Sequence, residues 1–429
     1  MKKRNNDFGN LSTDYEGRCG NCHKKLDEGD LYCRFCGTRF GEGKYEPYED
    51  IVQIVYGPPP TIRKHTCKKC GYNWNSWSMI DEEKYCPKCG GNIKTEETGV
   101  SLFEKEEKGE TKMAVKVYID GQEGTTGLKI LERFEGRNDI EIVKISEELR
   151  KDSAERARLI NSADYVFLCL PDEASREAVS FIDKDNDHVR IIDASTAHRT
   201  NPDWAYGFPE LSEAHREKIK NSNRVAVPGC YASGFNSIVY PLVANGIIPA
   251  DYPVFAYATS GYSGAGKKAI AIYEGDDKPI EFNSPRQYAL SQAHKHLPEM
   301  QVISGLTYKP MFNPMVCDYF SGMVVSVPIQ TRTLQKAYTP AEIHAMYTNH
   351  YEGAKLVEVM PLMSADEQKS FFLASNTLSG QNKLQVFVFG SDEQILLCAR
   401  LDNLGKGASG AAVQCLNIMM GIDETTGLV

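Results

Sequence analysis

The stretch from Ala114 to Phe134 constrains the fold more than any other. Ala114-Val-Lys-Val-Tyr-Ile119 has the alternating-to-apolar pattern of a strand, Asp120-Gly-Gln-Glu-Gly-Thr-Thr-Gly127 follows, and Leu128 to Phe134 has helical spacing. Strand, glycine-rich turn and helix in that order place backbone N–H groups and a helix N-terminus together, which suits a pyrophosphate. The spacing is Gly-x-x-Gly-x-x-Gly rather than Gly-x-Gly-x-x-Gly, and a tight turn without a ligand would carry the same glycines. The pattern then repeats. Ile140 to Ile145 reads as a second strand, Ser153 to Asn161 as a helix, Ala163 to Leu170 as a buried strand, a helix runs on to Ile182, and Val189 to Asp193 is a further strand. Such alternation predicts an α/β fold with a Rossmann-type doubly wound parallel sheet. No carboxylate ends the second strand. Lys144 and Ser146 stand there, which favours a 2′-phosphate and hence NADP over NAD.

Arg224-Val-Ala-Val-Pro-Gly-Cys-Tyr-Ala-Ser-Gly234 carries the chemistry. Cys230 falls where a strand turns into a helix, and free N–H groups and the helix dipole at that position favour a thiolate. A thiolate attacks carbonyl carbon. Between Tyr252 and Leu397, strand-like runs such as Ser321 to Val327, Lys383 to Phe389 and Gln394 to Cys398 outnumber helices, of which Pro340 to Tyr351 is one. They predict a mixed or antiparallel sheet with helices on one side.

Eight of the 13 cysteines precede residue 90, in four Cys-x-x-Cys pairs. Cys19, Cys22, Cys33 and Cys36 form one set, and Cys67, Cys70, Cys86 and Cys89 a second. Paired knuckles of this kind supply four thiolates to a structural zinc ion. The second set also resembles rubredoxin in its Cys-Gly-Tyr and Cys-Pro-x-Cys-Gly, so iron is its alternative. Such short segments lack a core and take folding energy from the metal. Residues 1–112 carry 19 Lys and Arg against 19 Asp and Glu, and the whole chain has a net charge of −9, so nucleic acid is not the expected partner. A contact with another protein, or oligomerisation, is the preferred role of the ribbons. No secretory signal and no membrane-length apolar run is present, and the scattered remaining cysteines fit a reducing cytoplasm. The expected layout is zinc ribbons at 1–48 and 49–98, a charged linker at 99–112, a nucleotide-binding domain from 113–230 and 399–429, and a catalytic and oligomerisation domain at 231–398.

Seven motifs from Gly121 onward resemble the N-acetyl-gamma-glutamyl-phosphate reductases, in their shorter subfamily, which belong with the semialdehyde dehydrogenases. They are Gly121-Gln-Glu-Gly-Thr-Thr-Gly127, Asp193-Ala-Ser-Thr-Ala-His-Arg199, Tyr206-Gly-Phe-Pro-Glu-Leu211, Pro228-Gly-Cys-Tyr-Ala-Ser233, Ser260-Gly-Tyr-Ser-Gly-Ala-Gly-Lys267, His294-Lys-His-Leu-Pro-Glu299 and Leu401-Asp-Asn-Leu-Gly-Lys-Gly-Ala-Ser-Gly410. The ribbons have no counterpart in that resemblance. It implies NADPH-dependent reduction of N-acetyl-glutamyl 5-phosphate through a Cys230 thioester, in a homo-oligomer (dimer or tetramer). Tyr288, His294, His296 and Glu299 would line the site, with His294 preferred over His296 as acid/base. Gly121, Gly124, Thr125, Thr126, Gly127, Ser195, Ser263, Gly264 and Asn403 would hold the dinucleotide, with Lys144 at its phosphate. Arg199, Lys267 and Lys268 are the cations offered to the substrate. Two other readings stand beside this one: a sister reductase of carrier-bound aminoadipyl phosphate, and an interaction protein that keeps an inactive dehydrogenase as scaffold.

Overall fold

The structure is a computed structural model, in which residues 62–70, 72–77, 85–89, 91–97 and 114–428 are described. They fall into two units, divided between Thr111 and Lys112. The first cysteine set, Cys19 to Cys36, lies outside the described residues.

In the first unit, β1 (Ile62–Cys67) pairs antiparallel with β2 (Asn73–Trp77) and with β3 (Ile93–Glu97), in the order β2-β1-β3. One cysteine knuckle follows β1 and the other precedes β3, so pairing Cys67 with Ile93 brings the knuckles face to face.

The second unit opens on a parallel sheet. Strands β4 (Val115–Asp120), β5 (Ile140–Val143), β6 (Tyr165–Leu168), β7 (Arg190–Asp193), β8 (Ala205–Tyr206) and β9 (Arg224–Ala226) form a six-stranded sheet in the order β5-β4-β6-β7-β9-β8. All its pairings are parallel. Helices α1 (Thr125–Phe134), α2 (Ser153–Ser162), α3 (Asp172–Ser180) and α4 (Glu213–Asn221) alternate with the strands. Strand β6 is buried at every residue, as a central parallel strand covered on both faces must be. Its Phe167 belongs to one apolar cluster, its Val166 and Leu168 to another, and these lie on opposite faces of the sheet.

The second half of this unit begins with α5 (Cys230–Ala244). Its mixed sheet comprises β10 (Phe255–Gly261), β11 (Arg286–Gln287), β12 (Met311–Cys317), β13 (Met323–Gln330), β14 (Val357–Val359), β15 (Leu384–Gly390) and β16 (Gln394–Leu401), in the order β11-β12-β10-β13-β16-β15-β14. Helices α6 (Lys267–Glu274), α7 (Leu297–Ser304), α8 (Pro340–His350) and α9 (Ala365–Ser370) accompany it. Residues of α5, α7 and α8 share one apolar core with alternate residues of β13, β15 and β16. The boundary expected between 398 and 399 falls inside β16, because Ala399 to Leu401 still pair with β13 and β15.

After β16 a π-helical turn, Gly405–Ser409, leads into α10 (Gly410–Met420). Ala411, Ala412, Cys415 and Leu416 join Val117, Ile119 and Ile192 in the core of the parallel sheet. The chain therefore returns to the six-stranded parallel sheet after building the mixed one, and the return crosses behind Cys230. Among the described residues no helix is long and apolar enough to cross a membrane.

Candidate active site

Strand β9 ends at Ala226, Val227-Pro228-Gly229 turns, and Cys230 is the first residue of α5, with Gly229 as its N-cap. The Cys230 side chain is half-buried. Burial pushes its thiol up to about 11, against the pull of Arg199, of the Tyr231 backbone N–H and of Lys295. The thiolate bias expected at a helix start is therefore present but outweighed by desolvation. The sequence displays the dipole and hides the burial.

Glu299, in the first turn of α7, organises the approach to the sulfur. Its carboxylate accepts hydrogen bonds from the Gly229 backbone N–H (2.8 Å), the Tyr206 hydroxyl (2.7 Å) and the Arg199 guanidinium (3.1 Å). It is 2% exposed, so these bonds are not shared with solvent. Arg199 also donates to the Val227 and Ala194 carbonyls, which ties it to the ends of the neighbouring strands β9 and β7. Gly229 has no room for a side chain: a Cβ there would sit 2.4 Å from His296 Nε2 and 2.5 Å from Arg199 Nη1.

The two histidines cross edge to face, with ring centroids 4.7 Å apart, and both lie against Tyr231, the residue after the cysteine. They do not come from an extended segment. His296 is the αR N-cap of α7, and its backbone N–H donates to His294 Nδ1 at 3.1 Å. In a neutral ring that acceptor role leaves the proton of His294 on Nε2. Burial, and then the neighbouring Lys295 charge, pushes His294 down to about 4. His296 is driven well below the ordinary histidine range by burial, with Arg199 next in importance. Its Nδ1 is buried without a partner. Tyr288 lies at the rim, its ring 5.7 Å from His294 and 6.5 Å from Tyr231. Its hydroxyl is raised by burial.

A cavity of about 500 Å3 opens beside the glycine turn, lined among others by Gly121, Gly124, Ile145, Arg150, Lys151 and Leu170. Gly121 has φ +87°, and a Cβ there would meet the Cys169 carbonyl oxygen at 2.4 Å. Gly127 serves packing instead: it is buried, and a Cβ would strike the Gly121 carbonyl oxygen at 2.7 Å, so its bare backbone lets α1 lie on the turn. Thr125 and Thr126 head α1 just beyond the lining residues. Lys144 is exposed past the end of β5 and does not line the cavity; Arg150 and Lys151, which no sequence motif marks, do. Ser195 turns its hydroxyl inward to Asp193 at 2.7 Å. Asn403 donates to the Ser263 hydroxyl at 2.9 Å and accepts from the Gly322 N–H at 2.8 Å, with Gly264 packed beside it.

Lys267 and Lys268 are exposed in the first turn of α6. Lys295 is a further cation that the motifs do not single out. It is exposed between the histidines, and its charge acts on Cys230, on both imidazoles and on Asp172. Only its position inside the His-x-His segment could have signalled it.

In the first unit, the sulfurs of Cys67, Cys70, Cys86 and Cys89 all lie within 4.8 Å of one another. The Cys67–Cys89 and Cys70–Cys86 separations are 3.5 and 3.7 Å, and a tetrahedron of ~2.3 Å metal–sulfur bonds has edges of about 3.8 Å. Backbone N–H groups of Lys69 and Cys70 point at the Cys67 sulfur, both at 3.3 Å. The donor set fits a closed tetrahedral metal site built from this module's own four cysteines.

Comparison with known proteins matches residues 116–222 to the semialdehyde dehydrogenase NAD binding domain and residues 230–403 to the semialdehyde dehydrogenase dimerisation domain. The chain is 48% identical over 320 residues to N-acetyl-gamma-glutamyl-phosphate reductase 2 of Nostoc sp., covering 73% of this chain and 99% of that one. It is 49% identical over 311 residues to N-acetyl-gamma-glutamyl-phosphate reductase of Burkholderia lata, covering 71% and 96%. Among solved structures, aspartate semialdehyde dehydrogenase from Francisella tularensis aligns over 71% of this chain and all of its own, with a TM-score of 0.53 at 15% identity. Aspartate semialdehyde dehydrogenase II from Vibrio cholerae aligns over 72% and 99%, with a TM-score of 0.51 at 17% identity; these two likenesses concern the fold alone. The motifs, the two sheets and the relatives agree: the chain belongs to the N-acetyl-gamma-glutamyl-phosphate reductase family of semialdehyde dehydrogenases.

Proposed function

We propose that this chain reduces N-acetyl-L-glutamyl 5-phosphate to N-acetyl-L-glutamate 5-semialdehyde and phosphate, as a step of arginine biosynthesis, with NADPH as reductant. The observation that carries the chemistry is the convergence on one turn. Glu299, Arg199 and His296 meet at Gly229, and the next residue is Cys230 at a helix start. The relatives' names support the substrate.

Cys230 attacks the acyl-phosphate carbon as thiolate, the carbon–oxygen bond to phosphate breaks, and a thioester remains. Arg199 and the α5 N-terminus offset the charge on sulfur. A nicotinamide bound there would supply the hydride that takes the thioester to the aldehyde level. His294, with its proton on Nε2, hydrogen-bonds the oxyanion that hydride addition leaves, and as that oxyanion collapses to the aldehyde the carbon–sulfur bond breaks and the thiolate is regenerated, the proton staying on His294. Glu299 and Arg199 hold the turn, and their donors and acceptors are largely taken by it. Lys295 is the better placed cation for the departing phosphate. Lys267 and Lys268, on the exposed start of α6, suit the substrate carboxylate.

The glycine cradle at Gly121 and Gly124 fits the pyrophosphate of a dinucleotide, and Arg150 and Lys151 on the same cavity wall suit a 2′-phosphate. Asn403, held by Ser263 and Gly322, would fix the nicotinamide end. The match to a dimerisation domain supports a homo-oligomer. The Cys67–Cys89 cluster would hold zinc as a structural ion, with iron as the alternative of the same geometry.

The reverse reaction tests the proposal. Wild type should form NADPH from N-acetyl-L-glutamate 5-semialdehyde and NADP+ only when phosphate is added, and Cys230→Ser should abolish this. Turnover unaffected by Cys230→Ser would overturn the mechanism. Turnover with an aminoadipyl semialdehyde but not the acetylglutamyl one would overturn the substrate.

A further inference from the structure

The π-helical turn Gly405–Ser409 touches the nucleophile from behind. A Cβ on Gly407 would lie 2.8 Å from Cys230 Cβ and 3.2 Å from its Cα, so the bare backbone of Gly407 is the wall against which Cys230 sits. Turns of this type are uncommon and gather at functional sites. This one is fastened along its length. The Gly407 N–H donates to the Asp402 carbonyl at 3.0 Å, the Ser409 hydroxyl to the Leu404 carbonyl at 2.6 Å, and Arg133 to the Ser409 hydroxyl at 3.2 Å.

The residue between Gly405 and Gly407 is Lys406, only 2% exposed. Its ammonium meets both carboxylate oxygens of Glu210 at 2.7 and 2.8 Å, bonds to Gln414 and lies 4.8 Å from the Phe208 ring centre. Gln414 in turn donates to Glu210 and to Glu424, and Glu424 accepts from Arg216 on α4. A buried ion pair adds little net stability over apolar packing of similar volume, so its presence calls for another reason. Here it clamps the one turn that backs the reactive sulfur.

We infer that Lys406 and Glu210 are positioning residues: their buried pair holds the π-turn so that Gly407 fixes the placement of Cys230 at the head of α5. The inference rests on the reading of Cys230 as nucleophile, but its decisive readout is the thiol itself.

The experiment uses the full chain and compares wild type with Lys406→Met and Gly407→Ala. The readouts are the rate of Cys230 alkylation by iodoacetamide against pH, read from the Cys230 peptide by mass spectrometry, kcat and KM for the nucleotide, and thermal unfolding. Displacement of a reacting group by about 1 Å costs on the order of 100-fold in rate. Each variant should therefore lose roughly that factor in kcat with nucleotide KM unchanged, and its Cys230 alkylation profile should shift along the pH axis. Lys406→Met leaves Glu210 buried without a cation and can fail to fold; Gly407→Ala adds one methyl group at the contact and then decides the matter. Wild-type alkylation profile and kcat in folded Gly407→Ala would overturn the inference. If Cys230→Ser retained turnover, the mechanism would fall, while an altered alkylation profile in folded Lys406→Met would still uphold the positioning claim.

Discussion

Glu299 Oε1 accepts a hydrogen bond from the Gly229 backbone N–H at 2.8 Å, which fixes the peptide immediately before Cys230 from a helix seventy residues further along the chain. The same carboxylate takes the Tyr206 hydroxyl and the Arg199 guanidinium. Glu299→Ala leaves a buried guanidinium, a hydroxyl and an N–H without their acceptor, and breaking a buried pair in this way costs about 3–5 kcal/mol. Thermal unfolding should register that loss. Glu299→Gln keeps an acceptor for Gly229 and should retain more of both stability and kcat. Equal, wild-type-like behaviour of both variants would remove Glu299 from the site's framework.

The pH response of the thiol follows from its burial. With Cys230 pushed up to about 11, the free protein holds little thiolate near neutrality, and the thiolate fraction grows tenfold per pH unit below that value. Iodoacetamide alkylation of Cys230 should climb steadily from pH 7 to 10. His294, pushed down to about 4, stays neutral throughout and should add no inflection there. Stability has the same sign and also rises with pH. A histidine with a lowered folded pKa is protonated more readily when unfolded, so its neutral burial contributes fully above about pH 6.5 and that contribution is lost as pH falls toward 4. An alkylation rate that levels off below pH 7 would mean that Arg199, Lys295 and the helix start outweigh desolvation.

Arg150 and Lys151, not Lys144, line the cavity beside the glycine turn that we propose for the dinucleotide. A hydrogen bond to a charged group contributes about 1.5–3 kcal/mol, which corresponds to roughly tenfold or more in affinity. Replacing both residues by alanine should raise KM for NADPH by at least that factor while leaving KM for NADH nearly alone. Lys144→Ala should change neither. The ratio of the two KM values checks this directly.

The cysteine cluster makes a prediction about metal. Elemental analysis should find zinc, or iron with its red colour, bound to the Cys67, Cys70, Cys86 and Cys89 module, and Cys86→Ser should lower that content. A strong chelator should expose the module to proteolysis, because so small a sheet depends on its metal for folding.

Elements whose signal is local were legible before the structure. The strand, turn and helix from Val115 to Phe134 carry their periodicity and glycines within one stretch, and the placement of Cys230 at a strand-to-helix turn followed from Val225 to Gly229 alone. What stayed hidden is long-range. No spacing connects Gly407 to Cys230, or Lys406 to Glu210, since those contacts exist only after α10 returns to the parallel sheet. The fate of Lys144 depended on which way the chain leaves β5, and Arg150 and Lys151 sit in a turn without periodicity. The histidine pair was visible as a motif. Its geometry was not, because His296 begins a helix instead of extending a strand, and only that bend brings its N–H onto His294. Burial decided the Cys230 thiol against the helix dipole, and burial is a property of the whole fold.

The central claim is that acyl transfer passes through the Cys230 sulfur. Incubating the protein with N-acetyl-L-glutamyl 5-phosphate in the absence of nucleotide, followed by acid quench and peptide mass spectrometry, tests it in one step. The account predicts a hydroxylamine-labile acetylglutamyl adduct on the Cys230 peptide, released as aldehyde when NADPH is added before the quench. Productive turnover with no adduct at Cys230, or with the acyl group on another residue, would contradict it.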